Sequence, residues 1–201
     1  MHQVEIYTSG QNLTSKLLLI YRILILIILN VGLVCNAQTY IKINAATALV
    51  LIPNIGIETS ISEKMTFQVD INASFWKSIN NNPFQFVIVT PEIRYHFREK
   101  FKGFYLGANI SGAKFKINKY QFLELNNYQE GYSYMIGATI GYQKKISEKF
   151  VLDVFIGGGS VQSFYKGYYG NTNIRYETAT NFNKSGEFIP YRGGIMLSYK
   201  I

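Results

Sequence analysis

Glu58, Asp70, Glu92, Arg94, His96, Asp153, Arg192 and Lys200 all fall on the polar side of an alternating apolar–polar pattern, with Lys42 a weaker member of the set. A period of two is the period of a β-strand, whose successive side chains point to opposite faces. Carried on the inner faces of several strands, these groups would meet in a space with little water. Opposite charges must then pair, because an isolated buried charge costs several kcal/mol. The set predicts a salt-bridged, hydrogen-bonded interior plug with Glu92 and Arg94 near its centre. The same groups are also the parts of an ion or proton path, or of a gate.

His96 raises the question of catalysis. A lipid-modifying hydrolase needs a nucleophile and a base within hydrogen-bond reach, with access to lipid. Parity turns His96 inward, at the end of its strand nearest the short turns, and no motif accompanies it. We therefore assign no catalytic residue and expect no enzyme. The run Gly157-Gly158-Gly159 is not followed by a GKS or GKT sequence. It reads as strand glycine that allows close packing or a bend, not as a phosphate loop.

The strands that must position these groups can be counted. Ile41 to Leu49 is a weak first strand, and Pro53-Asn54 makes a tight turn after it. Ile55 to Ile61 is the second strand, Met65 to Phe75 the third and Val87 to Phe97 the fourth. Phe104 to about Lys116, Gly131 to Lys145, Phe150 to about Tyr165 and Phe188 to Ile201 complete eight. In the sixth, Tyr132 and Tyr134 at one end and Tyr142 at the other bracket Ile136, Ala138 and Ile140. Tyr132 to Tyr142 spans roughly 33 Å of strand. Tilted by about 40°, that matches the roughly 25 Å apolar band and paired aromatic girdles of a membrane barrel. Tyr95, Phe97 and Tyr199 join the same girdle.

Three turns share one pattern: Ile61-Ser62-Glu63-Lys64-Met65, Phe97-Arg98-Glu99-Lys100-Phe101 and Ile146-Ser147-Glu148-Lys149-Phe150. The alternate connections are longer and rich in Tyr and Asn, notably 116–130 and 166–186. Short turns on one rim and long loops on the other describe an up-and-down barrel. A soluble barrel would put its apolar face inward. Here the aliphatic face has aromatic ends and the opposite face carries charge, which predicts the inverted, transmembrane arrangement. Closure also satisfies every backbone amide, as lipid requires.

The N-terminus has Lys16 and Arg22, an apolar run from Ile23 to Val34, and the small-x-small exit Cys35-Asn36-Ala37. This reads as a signal peptide over residues 1–37, with the true start downstream of Met1. Arg22 cuts the run below the roughly 20 residues of a membrane anchor, and Val34 is a poor residue to precede an acylated Cys35. Cleavage leaves 38–201 as one domain without cysteine, with His96 its sole histidine, so it offers neither a multi-Cys zinc site nor a two-histidine metal site, and no metal or cofactor is expected. The chain carries +8, and this part has 18 Lys and Arg against 11 Asp and Glu. Those cations are scattered over strand ends and turns rather than forming a stripe, which points to membrane surface and away from nucleic acid.

The stretches Leu51-Ile52-Pro53-Asn54-Ile55-Gly56-Ile57-Glu58 and Thr90-Pro91-Glu92-Ile93-Arg94-Tyr95 resemble motifs in a family of uncharacterised outer-membrane β-barrel proteins of Gram-negative bacteria. More broadly, 40–201 looks like an OmpA-type eight-stranded barrel without a periplasmic peptidoglycan-binding domain. The resemblance implies an outer-membrane location reached through the signal peptide, and brings no catalytic residue or ligand. The expectation is an all-β, eight-stranded antiparallel up-and-down transmembrane barrel. Its role would be structural or in surface interaction, with outer-membrane lipid around it. A glycan or protein partner would meet loops 116–130 and 166–186. A narrow channel or gated pore, and then a lipid-modifying enzyme, are the alternatives.

Overall fold

The computed structural model describes residues 38–77, 82–118, 127–176 and 178–201. The expected signal peptide lies outside these residues. In chain order the elements are β1 (Thr39–Asn44), α1 (Ala45–Leu49), β2 (Asn54–Ser60), β3 (Met65–Lys77) and β4 (Pro83–His96). They continue with β5 (Gly103–Ile117), β6 (Tyr128–Lys145), β7 (Phe150–Tyr168), β8 (Arg175–Tyr176) and β9 (Asn183–Lys200). Pairing is antiparallel throughout. β1 to β7 pair in sequence order, and β9 bonds to both β7 and β1, so eight strands close into a ring. The short β8 continues the β7 edge beyond β9. No helix among the described residues is long and apolar enough to cross a membrane, which says nothing against crossing by strands.

The all-β ring agrees with the alternation, but several boundaries move. The first strand stops at Asn44, and Ala45–Leu49 is a helix instead of strand. Ala-Ala-Thr-Ala-Leu favours helix, and the Asn44 side chain caps it by accepting from the backbone N–H groups of Ala46 and Thr47 at 3.1 and 3.4 Å. At the far end β5, β6, β7 and β9 all run past their expected limits. The segments expected as loops, 116–130 and 166–186, therefore begin and end in strand.

Two of the three similar turns are built alike. The backbone N–H groups of Ile61 and Ser62 donate to Met65 O, and those of Ile146 and Ser147 donate to Phe150 O. In each, the serine hydroxyl accepts from the first strand residue, Met65 or Phe150, at 3.2 Å. The third differs. Phe101 does not open a strand; it adopts φ 62° and turns into the ring, only 4% exposed. There it packs on Tyr40 with ring centroids 4.6 Å apart.

The ring is inverted over its turn-proximal part. Ile57, Ile71, Ile93, Leu106, Ile140 and Ile156 lie on the exposed outer face, while Glu58, Asp70, Glu92, Arg94 and Asp153 are buried inside. Aromatics end the outer face near the turns, where Tyr95 meets Phe97, Phe104 meets Tyr142 and Phe150 meets Tyr199. Near the opposite end Tyr134 stacks on Phe164, with Tyr132 exposed beside them. Every girdle residue expected from the sequence is thus on the outer face.

Beyond those upper aromatics the polarity reverses without a change of parity on β4 and β5. The inward positions become Phe84, Phe86 and Ile88 on β4, and Ala113, Phe115 and Ile117 on β5, while Lys114 and Lys116 point outward. Strands with apolar residues inside and cations outside are what a water-surrounded barrel requires.

β9 also changes parity. Gly157 pairs with Arg192 but Gly159 with Ile189, so Pro190 and Tyr191 together face Gly158. This bulge turns Ile189 and Tyr191 inward and puts Phe188 outside, correcting the outward placement that simple alternation gave Ile189 and Tyr191. Proline has no N–H for a ladder, and Gly158 has no side chain to obstruct it. A Cβ there would lie 2.6 Å from Ile189 O and 2.8 Å from Pro190 Cα. Pro91 acts more simply: the β4–β5 ladder skips it and resumes in the same register.

Candidate functional site

The closed ring brings together side chains that are remote in the chain. Lys42 projects from β1, the weakest strand in the sequence, and is fully buried. Its Nζ donates to Glu58 Oε2 at 2.6 Å, Asp153 Oδ2 at 2.6 Å and Gln68 Oε1 at 2.8 Å. Arg94 approaches the same two carboxylates from β4, with Nη1 at 3.2 Å from Glu58 Oε2 and 2.8 Å from Asp153 Oδ2. These four residues are the centre of the cluster. Glu92 lies one step toward the loops, accepting from Arg94 Nε at 3.0 Å and facing Arg192 Nη2 at 3.2 Å. Arg192 in turn donates to Asp70 Oδ1 at 2.9 Å.

Neutral groups add further hydrogen bonds to Glu58 and Asp153. Tyr105 donates to Asp153 Oδ1 at 2.9 Å and Gln143 Nε2 to Glu58 Oε2 at 2.9 Å. Thr66 donates to Glu58 Oε1 at 2.6 Å and lies 3.1 Å from His96 Nε2. The Arg94 guanidinium also sits 4.5 Å above the centre of the Tyr105 ring, a stacked geometry a planar cation favours. Glycines make the room. A Cβ on Gly107 would collide with the Glu92 carboxylate, and one on Gly141 with the Tyr105 ring.

Of the residues expected in the interior, Glu58, Asp70, Glu92, Arg94, His96 and Asp153 are buried, and Arg192 joins them through its ion pairs. Lys200 does not: one residue from the chain end, it is exposed at the turn rim. Lys42 is central where the sequence reading made it marginal. Gln68, Gln143, Thr66 and Tyr105 were missed. Their parity is right for the inner face, but nothing in an amide or a tyrosine by itself signals a partner. Glu92 is at the edge of the cluster rather than its middle, while Arg94 is at the hub.

The cluster is sealed toward the turns. His96 lies under Phe101 and Tyr105, with ring centroids 6.3 and 5.3 Å away, and Tyr40, Phe101 and Val151 form an apolar cork. Toward the loops a layer of uncharged pairs follows. Thr90 meets Ser111 at 2.9 Å, Asn109 donates to Thr139 at 3.1 Å, and Tyr191 donates to Asn109. No group of three or more His, Cys, Asp or Glu among the described residues is arranged to hold a metal ion.

Several described loop residues engage one another. Tyr128 stacks on Tyr168 at 5.2 Å and donates to Asn173, while Tyr169 packs on Tyr176. Tyr120 and Asn126, also expected in these loops, lie outside the described residues. No curated protein and no solved structure matches the chain significantly. The model of one family, described as "Protein of unknown function (DUF3575)", matches residues 22–201, and the chain belongs to that family.

Proposed function

We propose that this protein is a non-enzymatic outer-membrane β-barrel with a structural or surface-interaction role. One observation carries the reading: an aliphatic outer face bounded by aromatics surrounds an interior of ion-paired charges. In water that arrangement exposes apolar surface at about 25 cal/mol per Å² and buries charge without need. In a bilayer both features become favourable. The outward cations Lys114 and Lys116 begin where the apolar face ends, which fits a headgroup boundary.

The fully buried Lys42–Glu58–Arg94–Asp153 centre, with the Phe101 cork beneath it, weighs against a conducting pore. His96 is enclosed by Thr66, Phe101 and Tyr105 and has no path to lipid, which weighs against lipid-modifying chemistry. The test is gel mobility of the protein from isolated outer membranes, with and without boiling in SDS. A folded barrel migrates faster until boiled. Recovery in the soluble fraction, with no heat-dependent shift, would sink the proposal.

A further inference from the structure

The loop-side half of the ring holds a cavity of about 270 Å³. It lies above the uncharged layer formed by Tyr191, Asn109 and Thr139. Its walls are the inward faces of β4, β5, β6, β7 and β9 where the polarity has reversed, including Phe84, Phe86, Phe115, Met135, Val161 and Ile189. Two of the three serines in its lining, Ser133 and Ser163, bond to each other at 2.7 Å. Phe84 and Ile189 keep 40% and 38% of their surface exposed. Apolar surface facing an open cup is unfavourable in water.

The bulge is what completes the cup. With regular alternation Ile189 would face outward. With Pro190 and Tyr191 opposite Gly158, Ile189 forms the β9 wall and Tyr191 the floor. Among the described lining residues there is no Lys, Arg or His, and the one charged side chain is Glu187 at the exposed edge on β9. No cation in the wall would hold the charge of a carboxylate or phosphate. The volume lies near the lower end of small-molecule sites, about 300–1,000 Å³.

We propose that this cavity binds a small, uncharged, apolar molecule. The inference goes beyond the role proposed above and requires the ring, not its cellular location. The test uses refolded protein in phosphatidylcholine nanodiscs, titrated with the uncharged fluorophore N-phenyl-1-naphthylamine against empty discs. Saturable binding near one probe per chain is expected, with the anionic 1-anilinonaphthalene-8-sulfonate binding about tenfold more weakly or worse. Ala113→Phe and Ser133→Phe, whose side chains face the cavity, should each weaken the neutral probe about tenfold. Boiling-dependent gel mobility establishes that each variant is folded. The two wild-type titrations decide the matter without any variant: no saturable signal above empty discs, or tighter binding of the sulfonate, overturns the proposal. So does unchanged affinity in a folded cavity-filling variant.

Discussion

Lys42 and Asp153 stand 111 positions apart in the chain and meet at 2.6 Å, fully buried, across the inside of the ring. Their contact joins the first strand to the seventh without a backbone bond between them. Removing one partner should be costly. Lys42→Met leaves Glu58 and Asp153 facing each other and should lose about 3–5 kcal/mol, read as a lower urea midpoint for unfolding from lipid. Adding Asp153→Asn should recover part of that loss, as expected when two residues interact directly. Strictly additive losses would mean that the pair is not coupled.

The reversal of polarity along the wall predicts two different sensitivities. Ile140→Arg places a charge on the exposed aliphatic face and, with the ring inserted in a bilayer as proposed, should destabilise it by about 2–4 kcal/mol. Lys114→Asn, further along the outer surface, should stay within about 0.5 kcal/mol. Equal effects in the same lipid unfolding assay would refute a boundary between the two positions.

Conductance offers an independent check on the centre. Wild-type protein in planar bilayers should give no resolved current steps, because Arg94 and Lys42 hold the carboxylates in a closed, water-poor cluster. Regular steps altered by Glu92→Gln or Arg94→Gln would show that the charged interior is a pathway.

The bulge on β9 depends on an absent side chain. Gly158→Val would force a branched group against Ile189 O and Pro190 Cα, both backbone or backbone-fixed. We expect a loss of about 1–3 kcal/mol, seen as a lower temperature for loss of the fast-migrating band. Gly112→Val makes the control, since a Cβ there meets nothing within 4 Å. Equal loss at both sites would remove any special role from Gly158.

Much of the ring was legible because strand alternation is a local property. Met65 to Phe75 and Tyr132 to Tyr142 declare their two faces residue by residue, and the Ile-Ser-Glu-Lys turns repeat. What escaped the sequence depends on contacts between distant segments or on small backbone departures. Asn44 ends β1 as alternation implies, but its side chain caps the helix Ala45–Leu49 that alternation had extended as strand. The Pro190–Tyr191 bulge shifts parity by one, so Ile189 and Tyr191 were assigned to the wrong face. Phe101 matched Met65 and Phe150 by pattern, yet its positive φ sends it inside. Lys42 was undervalued because its strand is short; only closure against β9 shows that it projects into the centre. The apolar upper interior was missed because the polarity rule read from the middle of the strands was extended to their ends.

The ladders of the ring are unequal. β6 and β7 share 18 register pairs, whereas β1 meets β9 through five and β2 through five. The two ladders of β1 are therefore the thinnest joins of the ring, and the one to β9 also unites the earliest and latest parts of the circuit to be synthesised. Until β9 emerges, the half-built sheet has two raw edges and an oily back, both open to pairing with neighbouring chains.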